Sequence, residues 1–229
     1  VSTSGVENGS VTIADDYKSL TFTPAANWNG SETFTYTIKD QSNAQASSSV
    51  TVTVNAINDA PTAVDDTFTI PEDQNTALDV LDNDEDVDLS FEGDNLIVTN
   101  VTVPDFGTAT ISPDFKKVNY QSPANWYGDA AFSYTLQDGS GIESSADVVV
   151  HVNAANDTPV AAADSASTAE DEAVIVDVLA NDADVDISRE GDNLTILSVN
   201  GVENGSVTIA GDGKSLTFTP AANWNGTED

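Results

Sequence analysis

The sequence predicts an all-β chain of tandem sandwich units, on three observations. Landmarks recur at a period of 98 residues, the spacing of Trp28, Trp126 and Trp224. Val, Ile, Thr, Phe and Tyr fall in short alternating runs, and no stretch combines helical periodicity with caps.

The repeat sets the domain organisation. The three tryptophans sit in Asn-Trp-Asn-Gly, Asn-Trp-Tyr-Gly and Asn-Trp-Asn-Gly, and the same shift carries Asn58-Asp59-Ala60-Pro61 onto Asn156-Asp157-Thr158-Pro159 and Glu72-Asp73 onto Glu170-Asp171. At twice the shift, Gly5 to Gly30 differs from Gly201 to Gly226 only at Asp15 and Tyr17, so alternate units are nearly copies. Counted from the Asn-Asp-x-Pro segment, residues 1–55 are the C-terminal part of one unit, 56–153 a complete unit, and 154–229 the N-terminal part of a third. The expectation is a window on a longer array.

Within the complete unit seven strands are predicted, in order at 66–70, 76–81, 95–103, 108–112, 116–121, 130–137 and 145–153, each a β-rich run between turn-forming residues. The last two alternate most plainly. Phe132, Tyr134 and Leu136 share one face against Ser133 and Thr135, and Val148, Val150 and Val152 alternate with Val149 and His151. Seven strands in about 100 residues match an immunoglobulin-like β-sandwich.

Charge narrows the function. Six Lys and Arg stand against 39 Asp and Glu, a net charge of -33, which opposes nucleic acid and anionic membrane as partners. Such a chain repels itself unless cations offset the charge. With 39% hydrophobic residues it is expected to fold rather than stay disordered. The absence of Cys removes disulfides, thiol nucleophiles and thiolate metal sites. No run is long enough for a membrane span, and any export signal is expected outside this segment.

The acids themselves are patterned. Asp84, Asp86, Asp88, Glu92 and Asp94 recur as Asp182, Asp184, Asp186, Glu190 and Asp192, whereas Asp82 and Glu85 become Ala180 and Ala183. A D-x-D-x-D loop offers several hard oxygens to one cation, and calcium takes six to eight of them. Leu89 and Asn95 replace the Gly and Glu that an EF-hand needs, so the expected site is a Ca²⁺ loop of another kind. A second cluster is expected at each unit boundary, from Asn58, Asp59, Glu72 and Asp73 and from Asn156, Asp157, Glu170 and Asp171. Whether ions lie within units or between them stays open at this point.

Other chemistry finds few candidates. The one histidine, His151, falls on a predicted strand, and no acid/base pair with distinct environments stands out, so no enzyme is expected. The tryptophans are expected to close one end of each sandwich. A carbohydrate-binding module with tryptophan platforms, and a self-associating fibre, are the alternatives, with polysaccharide or further copies as the partners in place of neighbouring repeats.

The order of an Asn-Asp-x-Pro linker, a glutamate after the first strand and a D-x-D loop resembles cadherins, in which these elements meet at the joint and hold calcium. The chain lacks a second Asn after Asn58-Asp59 and any Leu-Asp-Arg-Glu segment. It more closely resembles the bacterial cadherin-like tandem repeats of giant RTX-type surface adhesins. The carriers are Asn58-Asp59-Ala60-Pro61 with Asp65-Asp66, Glu72-Asp73, Asp79-Val80-Leu81 running into the Asn83 to Asp88 acids, the Thr219 to Gly226 segment, and Phe132 to Gly139. That resemblance implies secretion to the cell surface, calcium-dependent stiffening, and a stalk role in adhesion and biofilm.

Overall fold

The computed structural model describes residues 1–89, 94–187 and 192–228. The first part of the chain contributes β1 (Ser2–Ser4), β2 (Gly9–Ile13), β3 (Leu20–Pro24), β4 (Gly30–Lys39) and β5 (Gln45–Val54), in a β1-β4-β5 sheet and a β2-β3 pair. The middle part holds β6 (Asp66–Pro71), β7 (Asn75–Leu78), β8 (Ile97–Val101), β9 (Thr108–Ile111), β10 (Val118–Gln121), β11 (Gly128–Gln137) and β12 (Glu143–Asn153). The last part supplies β13 (Val174–Val176), β14 (Gly205–Ile209) and β15 (Leu216–Pro220), in the order β13-β15-β14.

The middle strands form two sheets, β6-β12-β11-β8 and β7-β10-β9, and every one of the seven expected strands is present. The run expected to 81 ends at Leu78, because Asp79 opens a turn closed by the Asp82 amide on its carbonyl. The run expected from 95 begins at Ile97, because Asp94 and Asn95 belong to the acidic loop. β11 and β12 pair antiparallel through ten residues each, from Gly128↔Val152 to Gln137↔Glu143. β6 runs parallel to β12, from Val148↔Asp66 to Asn153↔Pro71, so the first and last strands of the unit lie side by side pointing the same way.

Alternation along these strands builds the core. Phe132, Tyr134 and Leu136 of β11 and Val148, Val150 and Val152 of β12 turn inward against Val98, Val118 and Tyr120, and Tyr120 stacks on Phe132 at 6.1 Å. The outward face is polar, with Ser133 donating to Asp147 at 2.6 Å and Thr135 paired with Ser145 at 3.0 Å. His151 lies on β12 as expected, half-exposed and 2.6 Å from Asp129.

The tryptophan motif closes the end of the sandwich through its glycine. Gly128 has φ +142°, and a Cβ there would come within 3.0 Å of the Trp126 ring, so only glycine lets the indole fold over the strand start. Trp126 packs against the core and stacks on Phe106 at 4.7 Å. The alternate units use a different device at the same place. Buried Glu32 accepts from the Glu7 amide and the Asn8 side chain, each at 2.8 Å, and Glu228 accepts from Glu203 and Asn204 in the same way, where the middle unit has Ala130 and Phe106. The two differences between near-identical copies also have a local cause at one position. Tyr17 occupies a left-handed turn at φ 58°, and its counterpart is Gly213, at φ 70°.

Beneath the acidic loop the core carries a polar cluster. Asp66 at the start of β6 is 8% exposed, and its Oδ2 has no hydrogen-bond partner. Beside it the Tyr134 hydroxyl donates to the Asp84 carboxylate, 2.8 Å from each oxygen. Burial first, and the neighbouring Asp84 second, push the Asp66 carboxyl up to about 7, with Asp65 and Asp82 adding to the effect against a hydrogen bond from Tyr134.

Two outcomes follow from this core. Leu136→Ala, at a position with no exposure, should cost about 3 kcal/mol in urea unfolding, and a loss below about 1 kcal/mol would show that the β11 face is not packed as described. The folded unit keeps a proton on Asp66 that the unfolded chain releases near pH 4, so this group's contribution to stability falls as pH rises from about 4 to about 7 and is level above that. Melting temperatures of Asp66→Asn and wild type, measured without divalent cations, should therefore shift in favour of the variant across that interval. A constant difference would refute it.

Candidate metal centre

The D-x-D turn is built by its own backbone. The Asp88 amide donates to Asp86 Oδ1 at 2.9 Å, an aspartate turn that spends one oxygen and leaves Oδ2 to point elsewhere. The same turn recurs at Asp186 and Asp184, also at 2.9 Å. Asp94 is placed by donors at its Oδ1, the amides of Asn95 at 2.7 Å and Gly139. A Cβ on Gly139 would collide with that carboxylate, so glycine is what admits Asp94 to the site.

Three carboxylates converge there. Oxygens of Asp86, Asp94 and Asp138 lie within 4.8 Å of one another. Among the described residues, Asp86 Oδ2 and Asp94 Oδ2 find no partner, and both are buried. Oxygens sharing one calcium at about 2.3 to 2.6 Å sit at such mutual distances, so the residues fit a calcium ion by both donor chemistry and spacing. Electrostatics points the same way. Burial, with Asp88, Asp94 and Asp138 nearby, pushes Asp86 upward. Burial also opposes ionisation of Asp138, yet hydrogen bonds from Asn58, Ile142, Ser140 and Gly141 outweigh it and hold that carboxyl below the usual range. The Asn58 amide reaches Asp138 at 2.8 Å, which brings the start of the linker into the same site.

The remaining described loop acids carry hydrogen bonds of their own. Asp88, 7% exposed, accepts the Asp59 amide at 2.6 Å, and Asp186 accepts the Asp157 amide at 2.7 Å, so these residues tie the linker to the loop. Asp84 accepts the Val64 amide and Asp182 the Ala162 amide, each at 2.8 Å. Asp192 keeps the turn with Asn193 at 2.7 Å. Glu92 and Glu190 lie outside the described residues.

A second acidic meeting lies where the middle unit joins the next. Glu72, 3% exposed, follows β6 and accepts the Ala155 amide at 2.9 Å through Oε1, while its Oε2 is buried and unpartnered. Asp157 Oδ2 is in the same condition. Burial pushes the Asp157 carboxyl up, and the charges of Asp73, Asp186 and Asp184 push it further, so carboxylates of two units act on it. Asp73 itself accepts the Asn125 amide and Asp171 the Asn223 amide, each at 2.8 Å, so each supports the turn before a tryptophan. Asn156 turns onto the Asp157 carbonyl, as Asn58 does onto that of Asp59, and Glu170 is exposed.

Asp138 is the ligand candidate that sequence reading missed. Fifty-two residues separate it from Asp86 along the chain. Its signal was its recurrence at Asp40, at the end of the same Phe-x-Tyr-Thr strand. Among the described residues, no cation answers these acids. Among the described residues the ion pairs are Lys117 with Asp79 and His151 with Asp129, both away from the converging carboxylates.

The Bacterial Ig domain family matches this chain over residues 1–53, 58–151 and 156–229. No curated protein matches it. Among solved structures it is similar to protocadherin gammaB7 EC3-6 in a cis-dimer structure, at 13% identity and a TM-score of 0.49, covering 99% of this chain and 59% of that one. It is also similar to Drosophila N-cadherin EC1-4, at 11% identity and a TM-score of 0.45, covering 95% and 57%. An endo-fucoidan hydrolase from glycoside hydrolase family 107 aligns at 17% identity and a TM-score of 0.30, covering 96% and 34%. The chain thus spans less than two thirds of each of these structures. With the family matched along nearly its whole length and seven strands in two packed sheets at its centre, the chain belongs to the Bacterial Ig domain family.

Proposed function

We propose that the chain is a calcium-stabilised extender from a secreted bacterial surface adhesin of the RTX type, non-catalytic, holding adhesive domains away from the cell in adhesion or biofilm. The observation that carries the reading is the pair of buried, partnerless oxygens on Asp86 and Asp94, set against Asp138 in a chain of net charge -33. Asp86, Asp94 and Asp138 would hold one ion, and Glu72, Asp157 and the neighbouring Asp184 would hold another at the joint. Bound calcium would supply positive charge and coordination where the described residues offer no donors. The chain's own part is to aim the carboxylates and to tie linker to loop through Asp88 and Asp186. The units are taken as 1–55, 56–153 and 154–229, with neighbouring units as the principal partners and the cell surface as the location. Membership in the Bacterial Ig domain family supports a structural role. Among the described residues no helix is long and apolar enough to cross a membrane.

Carbohydrate binding and self-association receive no comparable support. Trp126, the best candidate for a sugar platform, is committed to Phe106 and the core.

Calcium removal tests the reading. An ion present at one hundred times its dissociation constant stabilises by about 2.7 kcal/mol, so chelation should lower the melting temperature of a unit this size by about 10 °C. Small-angle scattering should show a broader range of shapes in chelator. Melting and scattering that ignore chelator would sink the proposal. Asp86→Asn with Asp94→Asn should abolish one calcium from a counted titration while leaving the joint site, and an undiminished count would remove the loop from consideration.

A further inference from the structure

Tyr134 stands in the middle of β11, 1% exposed, and its ring belongs to the core. Its hydroxyl reaches the loop that follows β7, donating to Asp84 at 2.8 Å and lying 3.3 Å from the Val64 carbonyl. Asp84 Oδ1 also accepts the Val64 amide at 2.8 Å. One residue on, Glu85 and Thr62 exchange two backbone hydrogen bonds, of 2.7 and 3.1 Å. The chain is therefore gripped at Asp84 and Glu85, immediately before Asp86. The same backbone grip recurs at Ala162 with Asp182 and at Val160 with Ala183.

β11 also delivers Asp138, which directly follows its last residue, Gln137. Thus one strand carries both the hydroxyl that fixes the residue two before Asp86 and, four residues after that hydroxyl, the carboxylate that faces Asp86. We infer that Tyr134 is a positioning residue: by clamping Asp84 to β11 it sets Asp86 at the distance from Asp138 and Asp94 that a single divalent cation needs. The inference rests on the calcium reading of this site. Without the clamp, Asp84 keeps the Val64 amide but loses its bond to β11, and the ties to the Asp138 end that remain among the described residues are at Asp94, with the Gly139 amide, and through Asn58 and Asp59. The site then has to be ordered when the ion arrives, and affinity falls accordingly.

The test is calcium titration of the full chain as wild type, Tyr134→Phe, Tyr120→Phe and Asp94→Asn, at a temperature well below every unfolding transition. Asp94→Asn identifies which component of the titration belongs to the loop. Tyr120→Phe is the control for a lost buried hydroxyl, because Tyr120 has no exposure and donates to the Phe106 carbonyl at 3.0 Å, with no link to the loop. The expected result is an affinity about tenfold weaker for the loop component in Tyr134→Phe alone, with the joint component unchanged. Amide exchange at Val64 and Glu85 should accelerate in the same variant. Equal losses in both tyrosine variants, or loop affinity unchanged in Tyr134→Phe, overturn the inference while leaving the calcium reading intact. Absence of uptake by wild type overturns both. Should Tyr134→Phe fail to fold, Asp84→Asn loosens the same clamp from the loop side, and wild-type loop affinity in that variant overturns the inference.

Discussion

Carboxylates that converge with no donor between them among the described residues are the constraint around which this chain is arranged. A buried carboxylate is tolerated when hydrogen bonds answer its lone pairs, and most of the buried acids here are answered in that way. Asp88 and Asp186 take linker amides, Glu32 takes an amide and an asparagine, and Asp138 takes Asn58 and the turn that follows it. Those bonds are also what hold loops and linkers in place. The unanswered oxygens of Asp66, Glu72, Asp86, Asp94 and Asp157 are what remains among the described residues once that arrangement is complete.

The sandwich was legible because its signal is local. Alternation over four to ten residues told inside from outside for Phe132, Tyr134 and Leu136 without any knowledge of the partner strand. The site was legible only in outline. Asp84, Asp86 and Asp88 recur with the same spacing in both copies, so sequence comparison could not separate the residue that faces the other acids from the one bound to Tyr134 or the one bound to Asp59. What separates them is a third element, β11, which folds back from fifty residues away. Asp138 and Tyr134 were invisible as site residues for the same reason, and both were first read as parts of a strand pattern.

Alternate units solve one packing problem in two ways. At the end of the sandwich nearest the tryptophan, Glu32 and Asn8 form a hydrogen-bonded pair, as do Glu228 and Asn204, whereas the middle unit stacks Phe106 on Trp126 over Ala130. Each pairing changes both partners at once. An isolated Glu at position 130 would lack the asparagine side chain that donates to Glu32, and an isolated Phe at position 8 would meet a buried carboxylate. The two positions therefore have to change together for either arrangement to be kept.

The parallel pairing of β6 with β12 has a mechanical meaning. Because the chain enters the unit through β6 and leaves it through β12, tension along an array pulls these adjacent strands in opposite directions along their length. The six residue pairs from Val148↔Asp66 to Asn153↔Pro71 then share the load as a lap joint does, instead of parting one after another like a zip. Asp66 and Glu72 stand at the two ends of that joint, so the acids at either end of the unit bracket the ladder that force would have to shear.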